Sequence, residues 1–482
     1  MLSRKTAQPM TVSIHWFRRD LRLRDNPALS SARSASTQVY GAFWLGELDA
    51  LNARQRTFVI ACLKQLRLSL DRRDATLSLV EGPAEEALPA LARRLGATAV
   101  HAARSYSGKD AQTERAVAKA LHDIGIELHL HRGHCIHEPE AVAQLKAGAG
   151  AHGYRVFPPF YEAWKSLSAA PLVPESACNA SDPTPGPLPA SPVALQAPTA
   201  GEDAAVAQMQ KFVTARLADY AVNGEYPARN GTSGLGAYLR FGCISPRAVH
   251  QAVAERMSRS WTLAQERLSM EGYFRRLALR DFFLHLAFYE PAMHDQPLQD
   301  KMRAFEWSEA PDLVKAWVDG RTGYPFIDAA MRQLHREGHV HQRAAISAAS
   351  FCCFDLGLDW RIGRDVWMAG LLEADEALCD GNWQWIAAVG SDQAAYPRIY
   401  NPEKQARHFD AQAMYVRRYC PELARLPTRA ALAPWQMERN QQIELGFFSP
   451  DHYPPPIVDH DEAARAFLAR YNAFQETAAG GS

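Results

Sequence analysis

The stretch TVSIHWFRRDLRLRDNP at residues 11–27 decides the fold of the first third of the chain. Its first seven residues are an apolar, β-rich run that predicts a buried strand. A charged turn follows, and Asp25 and Asn26 stand where they can cap the next helix. Four similar runs, predicted as buried strands, and three stretches with apolar residues at helical spacing follow in alternation. The strand runs are 38–45, 75–80, 97–102 and 126–130, and the helical stretches are 52–72, 84–94 and 110–124.

This alternation predicts a mostly parallel sheet with helices on both faces. We therefore expect a doubly wound α/β, Rossmann-like domain over residues 10–135. No G-x-G-x-x-G follows the first strand and no G-x-x-x-x-G-K-[ST] occurs anywhere, so the first strand lacks the usual dinucleotide fingerprint and the sequence lacks a P-loop.

Proline separates this domain from the rest of the chain. Eight of the 30 prolines lie between Pro171 and Pro198, mixed with Ser, Ala and Thr. Such a segment sustains neither helix nor strand, and it either wraps over the surface or is disordered. We expect a connector over 136–204, Pro-rich over 171–198, and then an all-helical domain over 205–475. Eight of the 11 tryptophans follow position 260.

Composition narrows the classes of function. Basic and acidic residues number 53 each, so no overall basic charge indicates a nucleic-acid partner, although a local basic groove stays possible. No apolar run reaches the roughly 20 residues that span a bilayer, and the first ten residues do not form a signal peptide. The eight cysteines are scattered without a C-x-x-C pair. We expect a reducing, cytoplasmic location and no membrane.

Two stretches could bind an anion. Arg18 and Arg19 either pair with neighbouring acids, which the charged turn favours, or contact a phosphate. Thr232-Ser233-Gly234 before an apolar helix is typical of an ordinary N-cap, but the same residues would offer hydroxyl and backbone N–H groups to a pyrophosphate. Taken alone, the stretch favours the cap.

Histidine and tryptophan are grouped twice. His335, His339 and His341 invite a metal interpretation, but His341 points away from the other two on a helix and no cysteine is adjacent, so we expect no metal site. Trp383 and Trp385 flank Gln384 after a Gly-Asn pair. They belong either to the core or to a stacking surface for bases or a flat cofactor.

Four motifs together carry a resemblance to a known family. They are WFRRDLRLRDNPAL from residue 16, LRFGCISPR at 239–247, TGYPFIDAAMRQL at 322–334, and GNWQW with YPRIYNP over 381–402. In order and spacing they resemble the DNA photolyase/cryptochrome family, from about Thr11 to His460. The resemblance implies an N-terminal α/β antenna domain and a C-terminal all-helical FAD-binding domain, in which light drives electron transfer between the flavin and its surroundings.

The resemblance also implies the FAD contacts. Gly236 stands where the family usually has serine, Glu373 where it has aspartate, and Ala345 where it has the arginine that pairs with that acid. Glu373 must therefore tilt away, find another donor or be protonated. The implied contacts are Tyr226, Thr232, Ser233, Gly234, Leu235, Gly236, Tyr273, Glu373, Ala374, Asp375 and Cys379.

Trp383, Trp360 and Trp307 match the three tryptophans that, in the family, relay an electron from the surface to the flavin. The alternative is three ordinary core residues. Cys379 takes the place facing flavin N5, usually Asn in photolyases, and cysteine there is similar to some cryptochromes. We expect a flavin that does not hold its fully reduced state, unless Cys379 merely fills space.

The positions implied to contact the lesion depart from the pattern of dimer-repairing members. Arg276 and Leu279 stand where those members carry Glu and Trp, and Gln342 stands where they carry Asn, while Trp385 is retained. Losing the acid and the stacking Trp argues against efficient repair, although a cation could still stabilise a dimer anion. The implied DNA contacts are Arg343, Arg398, Lys404 and Gln405.

Lys109-Asp110 replaces the Asn-Glu pair of folate-binding members, so we expect no methenyl-folate antenna. The whole pattern predicts an FAD-binding, blue-light-responsive, cryptochrome-like flavoprotein with little or no cyclobutane-dimer repair. Its partners would be DNA, damaged or intact, or an unidentified signalling protein. The alternative is a deoxyribodipyrimidine photo-lyase, a carbon-carbon lyase, with an atypical pocket. A DNA-binding flavoprotein without photochemistry is disfavoured by the three tryptophans.

Overall fold

The computed structural model describes residues 11–106, 108–146, 153–194, 198–259, 263–391, 397–447 and 451–480. The first third forms a five-stranded, wholly parallel sheet in the order β3-β2-β1-β4-β5. The strands are β1 Val12–Phe17, β2 Gln38–Trp44, β3 Leu77–Val80, β4 Ala99–Ala103 and β5 Glu127–His131. The helices of this part are α1 Pro27–Ala35, α2 Ala53–Asp71, α3 Ala84–Leu95 and α4 Gly108–His122.

Strand β1 lies at the centre and is buried along its whole length. Successive side chains of a strand point to opposite faces. Ile14 and Trp16 therefore pack into one core with α3 and α4, whereas Phe17 packs into a second core with α1 and α2. The expected doubly wound α/β architecture is confirmed.

One detail of the predicted strands is wrong. The run at 126–130 predicts a buried strand, but β5 is the edge strand, and none of its residues is buried. An edge strand has a neighbour on one side only, and a β-rich sequence does not indicate which strand takes the edge.

Acidic side chains neutralise the arginines of the charged turn after β1, as the interpretation that Arg18 and Arg19 pair with neighbouring acids predicts. Arg18 is buried and pairs with Glu47 and Glu114. Arg19 reaches the helical part of the chain, where Nη1 lies 3.3 Å from Asp375 Oδ2. Asn26 caps α1 by accepting from the Leu29 N–H at 3.1 Å.

The Pro-rich segment wraps over the edge of the sheet. The Leu79 N–H of β3 donates to the Pro185 carbonyl at 2.6 Å. Asp182 accepts from Ser78 Oγ at 2.6 Å and from both terminal nitrogens of Arg94, at 2.6 and 2.7 Å. These bonds tie the connector to β3 and α3.

The chain after residue 200 is helical. Within the part that the structure describes, its only β-type pairing is one isolated bridge between Ser308 and Leu358. Two helices, α5 Pro139–Ala143 and α6 Phe157–Ser166, lie before this part. The others are α7 Glu202–Ala215, α8 Tyr220–Asn223, α9 Gly236–Arg240, α10 Pro246–Met257, α11 Ala264–Tyr289, α12 Pro311–Val318, α13 Pro325–Glu337, α14 Gln342–Ser350, α15 Trp360–Gly370, α16 Glu376–Ile386, α17 Pro402–Phe409, α18 Met414–Tyr419, α19 Thr428–Leu432, α20 Arg439–Leu445 and α21 His460–Gly480.

The helices from α12 onward pack around a separate core, which contains Trp317, Trp360 and Trp383. Helices α7, α9, α10 and α11 instead share the core of Phe17, α1 and α2. The expected all-helical second half is confirmed. Across the described ranges, no helix is long and apolar enough to span a bilayer.

Candidate functional site

A cavity of about 870 Å³ opens among α9, α11, α14 and α16. Tyr273, Arg276 and Arg280 line it from α11, and their spacing of three and four residues places them on one helix face. The volume lies near the top of the range of about 300–1,000 Å³ that is usual for ligand pockets. A ligand of dinucleotide size fits a cavity of this kind.

The charge of the wall suits an anionic ligand. Five arginines and three acids line the cavity: Arg240, Arg275, Arg276, Arg280 and Arg343, with Glu225, Glu373 and Asp375. Within the described part of the chain, the buried indole N–H groups of Trp367 and Trp383, both at the wall, have no hydrogen-bond acceptor. A positive, partly aromatic cavity with unpaired donors fits a flat cofactor that carries a diphosphate.

The structure brings eight of the eleven sequence-predicted cofactor residues to this wall. They are Thr232, Ser233, Gly236, Tyr273, Glu373, Ala374, Asp375 and Cys379. Tyr226, Gly234 and Leu235 do not line it. Leu235 is fully buried in the core, and the Arg229 guanidinium lies 4.3 Å from the centre of the Tyr226 ring.

The ordinary N-cap interpretation of Thr232-Ser233 is wrong. Helix α9 begins after Leu235, which has no side-chain capping bond. Ser233 Oγ accepts from the Leu235 N–H at 3.3 Å, and both Thr232 and Ser233 line the cavity. The two hydroxyl-bearing residues therefore face the cavity instead of closing the helix.

Asp375 caps α16 and holds two cations. Its carboxylate accepts from the Leu378 N–H, and Oδ2 lies 3.3 Å from Arg19 and 3.4 Å from Arg240. Burial alone would raise the pKa of Asp375, but Arg240 and Arg19 outweigh burial and lower it. Asp375 is therefore a fixed anion that joins the α/β part to the cavity.

Cys379 lies one turn into α16 and is 8% exposed at the cavity wall. Burial raises the pKa of its thiol to about 12. The side chain is a neutral thiol at physiological pH, so it offers a weak S–H donor rather than a thiolate or an amide.

Glu373 finds another donor, which is one of the three outcomes that the sequence left open. Its Oε1 lies 2.6 Å from Nδ1 of His339. The position that the resemblance assigns to an arginine is occupied by Ala345, which also lines the cavity. His339 is therefore the hydrogen-bond partner of Glu373.

The three predicted relay tryptophans differ in depth. Trp383 lines the cavity, Trp360 is fully buried, and Trp307 is half-buried. Gly363, one turn after Trp360 on α15, leaves space for the Trp383 ring, since a Cβ there would lie 2.1 Å from that ring. The bridge between Ser308 and Leu358 brings the Trp307 segment beside the start of α15.

The residues implied to contact a lesion lie along one side of the same cavity. Arg276, Leu279, Gln342 and Trp385 all line it. Trp385 is 36% exposed, and the Arg398 guanidinium lies 6.0 Å from its ring centre.

Arg276 has an acidic neighbour that sequence reasoning did not name. Glu225 Oε1 lies 4.0 Å from Arg276, and Glu225 Oε2 pairs closely with Arg343. One carboxylate is therefore shared by two guanidinium groups. Arg343, predicted as a DNA contact, is already engaged in an ion pair.

The remaining predicted DNA contacts lie outside the cavity wall. Arg398 and Lys404 are exposed and Gln405 is half-buried, the last two on α17. Of the predicted antenna pair, the Lys109 side chain falls outside the described residues, and Asp110 pairs with Arg19.

The three histidines near residue 340 have separate partners. His335 Nε2 lies 2.7 Å from the Val318 carbonyl, His339 pairs with Glu373, and His341 caps α14. A different group with metal-binding spacing occurs among the described residues, namely His294, Glu376 and Asp380. Arg364 Nη1 already lies 3.1 Å from Asp380 Oδ1.

Sequence reasoning missed Glu225, Arg240, Arg280 and Trp367 as members of the cavity wall. Arg280 lies one turn after Arg276 on α11, so the helical spacing could have identified it. The centres of the Trp367 and Trp383 rings lie 5.0 Å apart, and nothing in the local sequence of Trp367 indicates this contact.

A parallel α/β domain, a connector that wraps its edge, and a helical domain with an arginine-rich, indole-lined cavity define a two-part protein whose cavity suits a flat cofactor that carries a diphosphate. Two family models match the chain, one described as DNA photolyase over residues 13–180 and one as the FAD binding domain of DNA photolyase over 273–473. The chain belongs to the DNA photolyase/cryptochrome family.

Among its relatives is a deoxyribodipyrimidine photo-lyase of Agrobacterium fabrum, 34% identical, with 99% of this chain and 100% of the relative covered. Another, from Synechococcus, is 33% identical over 96% of each chain. A class III photolyase structure from Agrobacterium tumefaciens has a TM-score of 0.87, 32% identity and coverage of 98% and 100%. A Synechocystis cryptochrome structure has a TM-score of 0.86, 25% identity and coverage of 96% and 100%.

Proposed function

We propose that this protein is an FAD-containing, cryptochrome-like flavoprotein that responds to blue light by moving an electron through Trp383, Trp360 and Trp307, with little or no repair of cyclobutane pyrimidine dimers. The single observation that carries the loss of repair is the guanidinium of Arg276 at the cavity wall. The resemblance assigns this position to an acid that hydrogen-bonds the dimer.

The surroundings of Arg276 strengthen this argument. Glu225, the acid near Arg276, is also paired with Arg343. Both oxygens of Glu225 lie toward guanidinium groups, so Glu225 does not supply the hydrogen-bonding acid that Arg276 replaces. Leu279 supplies an aliphatic surface where a tryptophan would stack, and the lost stack is worth about 1–3 kcal/mol of base binding.

FAD, when bound, supplies the light-absorbing group that accepts one electron. Thr232, Ser233 and the wall arginines would hold its phosphates, and Trp383 offers an oxidisable indole directly at the cavity. The buried position of Trp360 and the half-buried position of Trp307 support a path from the cavity to solvent. Cys379, a neutral thiol, supports a flavin environment unlike that of an amide.

The cavity also supports the alternative, a deoxyribodipyrimidine photo-lyase with an atypical pocket. Trp385 remains exposed at the mouth beside Arg398, where a base could stack. The relatives named above carry that enzyme name. Lesion or strand preference would then differ from the usual pattern, because Arg276 replaces the acid. We propose no methenyl-folate antenna and a cytoplasmic location in either case.

Equilibrium binding separates the two proposals without light. Dissociation constants are measured for oligonucleotides with and without one thymine dimer, single- and double-stranded. We expect less than about tenfold preference for the dimer, because the stacking and hydrogen-bonding groups are both replaced. A preference comparable to that of the Agrobacterium fabrum relative, measured in parallel, would contradict the proposal and favour the enzyme.

A further inference from the structure

Glu373 is an acid at the cofactor cavity without the arginine that the family resemblance assigns to it. Its side chain is 27% exposed, so most of its surface is removed from water. Ala345, at the arginine position, offers only a methyl group. A carboxylate in this setting needs a donor to offset lost hydration.

His339 supplies that donor. It follows Gly338, which ends α13 in the left-handed conformation at φ 65°. The Leu372 N–H donates to the Gly338 carbonyl at 2.8 Å, so the two segments run side by side one residue before the pair. His339 Nδ1 then lies 2.6 Å from Glu373 Oε1. The histidine side chain is 46% exposed, so one partner reaches solvent and the other lines the cavity.

Gly236 makes room for this arrangement. A Cβ at Gly236 would lie 3.1 Å from Glu373 Cβ and 3.3 Å from Glu373 Cγ. A serine there, as the resemblance assigns, would press its Cβ against the stem of the Glu373 side chain, which would have to shift. Gly236 therefore leaves Glu373 the space in which it reaches His339.

We propose that His339 is the positioning residue that replaces the arginine as the cationic partner of Glu373, so that the affinity of the cavity for FAD falls as this histidine loses its proton. The inference rests on the proposed FAD-binding function and adds a pH-sensitive element to it.

The charges around His339 set the direction of this dependence. Glu373 and Glu337 are its acidic neighbours, His341 and Arg343 lie toward α14, and Arg54 of α2 packs against Gly338. Burial disfavours the charged imidazole, but Glu373 and Glu337 outweigh it and raise the pKa of His339 above its usual value. The ion pair is therefore complete at acidic pH and is lost as the pH rises through the raised pKa.

The test measures the dissociation constant of FAD for the full-length protein between about pH 6 and pH 9, a range that brackets the ordinary histidine pKa. The wild type should bind about three- to tenfold more weakly at the alkaline end, since one pKa unit corresponds to tenfold. His339→Gln should bind as the alkaline wild type does at every pH. The matched control is His335→Gln, four residues earlier and exposed, which should keep the wild-type profile.

Two further measurements separate positioning from simple loss of structure. Adding Ala345→Arg to His339→Gln should restore tight binding without the pH dependence, because arginine stays charged. In histidine-labelled protein, Glu373→Gln should lower the pKa of the His339 imidazole seen by NMR, a readout that needs neither light nor turnover.

An unchanged pH profile in His339→Gln would overturn this inference while leaving FAD binding intact. An unchanged His339 pKa in Glu373→Gln would do the same. Absence of FAD binding by the wild type at every pH would contradict the proposed function and the inference with it.

Discussion

Restoring the repair-type wall of the cavity should create dimer repair, most strongly when the acid beside it is also neutralised. The pair of changes implied by the family pattern is Arg276→Glu with Leu279→Trp. Because Glu225 Oε1 lies 4.0 Å from Arg276, these two changes alone would place two acids against one another. We therefore expect the best variant to combine them with Glu225→Gln, which also releases Arg343.

The magnitude follows from the distance and the exposure. Unit charges 4.0 Å apart attract by about 4 kcal/mol at an effective dielectric of about 20. Both side chains are about one-third exposed, and screening reduces the net value to about 1 kcal/mol or less. Arg276→Glu turns this attraction into a repulsion of similar size. Leu279→Trp should add about 1–3 kcal/mol of base binding, or about 5- to 150-fold in affinity.

The assay follows light-dependent loss of a thymine dimer from an oligonucleotide, under a reductant, for FAD-loaded variants. We expect repair from Arg276→Glu with Leu279→Trp, and a further gain of about fivefold or less once Glu225→Gln is added. Arg267→Glu is the matched control, since it makes the same charge change at an exposed position of α11 outside the cavity wall, and it should show no gain. If the triple variant binds FAD and still repairs no better than wild type, Arg276 is not what blocks repair.

Three other predictions concern separate parts of the molecule. Trp383→Phe should reduce the initial rate of flavin photoreduction at least about tenfold. The control is Trp317→Phe, which should leave the rate unchanged; the buried Trp317 ring lies 6.2 Å from the Trp383 ring. Equal rates for the two variants would contradict the relay. Cys379→Asn should change how fast the photoreduced protein reoxidises in air, and identical decay in the two proteins would show that this thiol does not tune the flavin. Asp182→Asn should lower the free energy of unfolding in urea at pH 7 by about 1–3 kcal/mol. Arg94 lowers the pKa of Asp182, so the stability from this pair is present above the ordinary aspartate pKa and is lost as the pH falls through the lowered value. An unchanged urea midpoint in Asp182→Asn would show that this residue does not tie the connector to the sheet.

Local sequence was sufficient for the elements that local chemistry determines. The apolar run at 11–17 formed the central strand, and Asn26 capped the helix after it, because both depend on neighbouring residues. The edge position of β5 depends on strand order, which no single run contains. Thr232 and Ser233 have capping side chains, yet α9 begins after Leu235, because the hydroxyls face a cavity made by distant helices.

The cavity partners were harder to predict, since they come from remote parts of the chain. His339 and Glu373 are 34 residues apart, and Glu225 meets Arg343 across 118 residues. The resemblance implied that Glu373 lacks its arginine, but only the fold identifies His339 as its partner and Glu225 as the acid beside Arg276. The domain boundaries and the roles assigned to the site residues stay predictions.

In the most direct test, one sample of purified, FAD-loaded protein is illuminated with blue light in the presence of a reductant and a thymine-dimer oligonucleotide. Flavin absorbance and dimer loss are recorded together. We predict that the flavin is photoreduced while the dimer remains, next to a repairing control, the Agrobacterium fabrum relative. Dimer loss at a rate comparable to that control would show instead that the cavity with Arg276 and Leu279 is a working photo-lyase site.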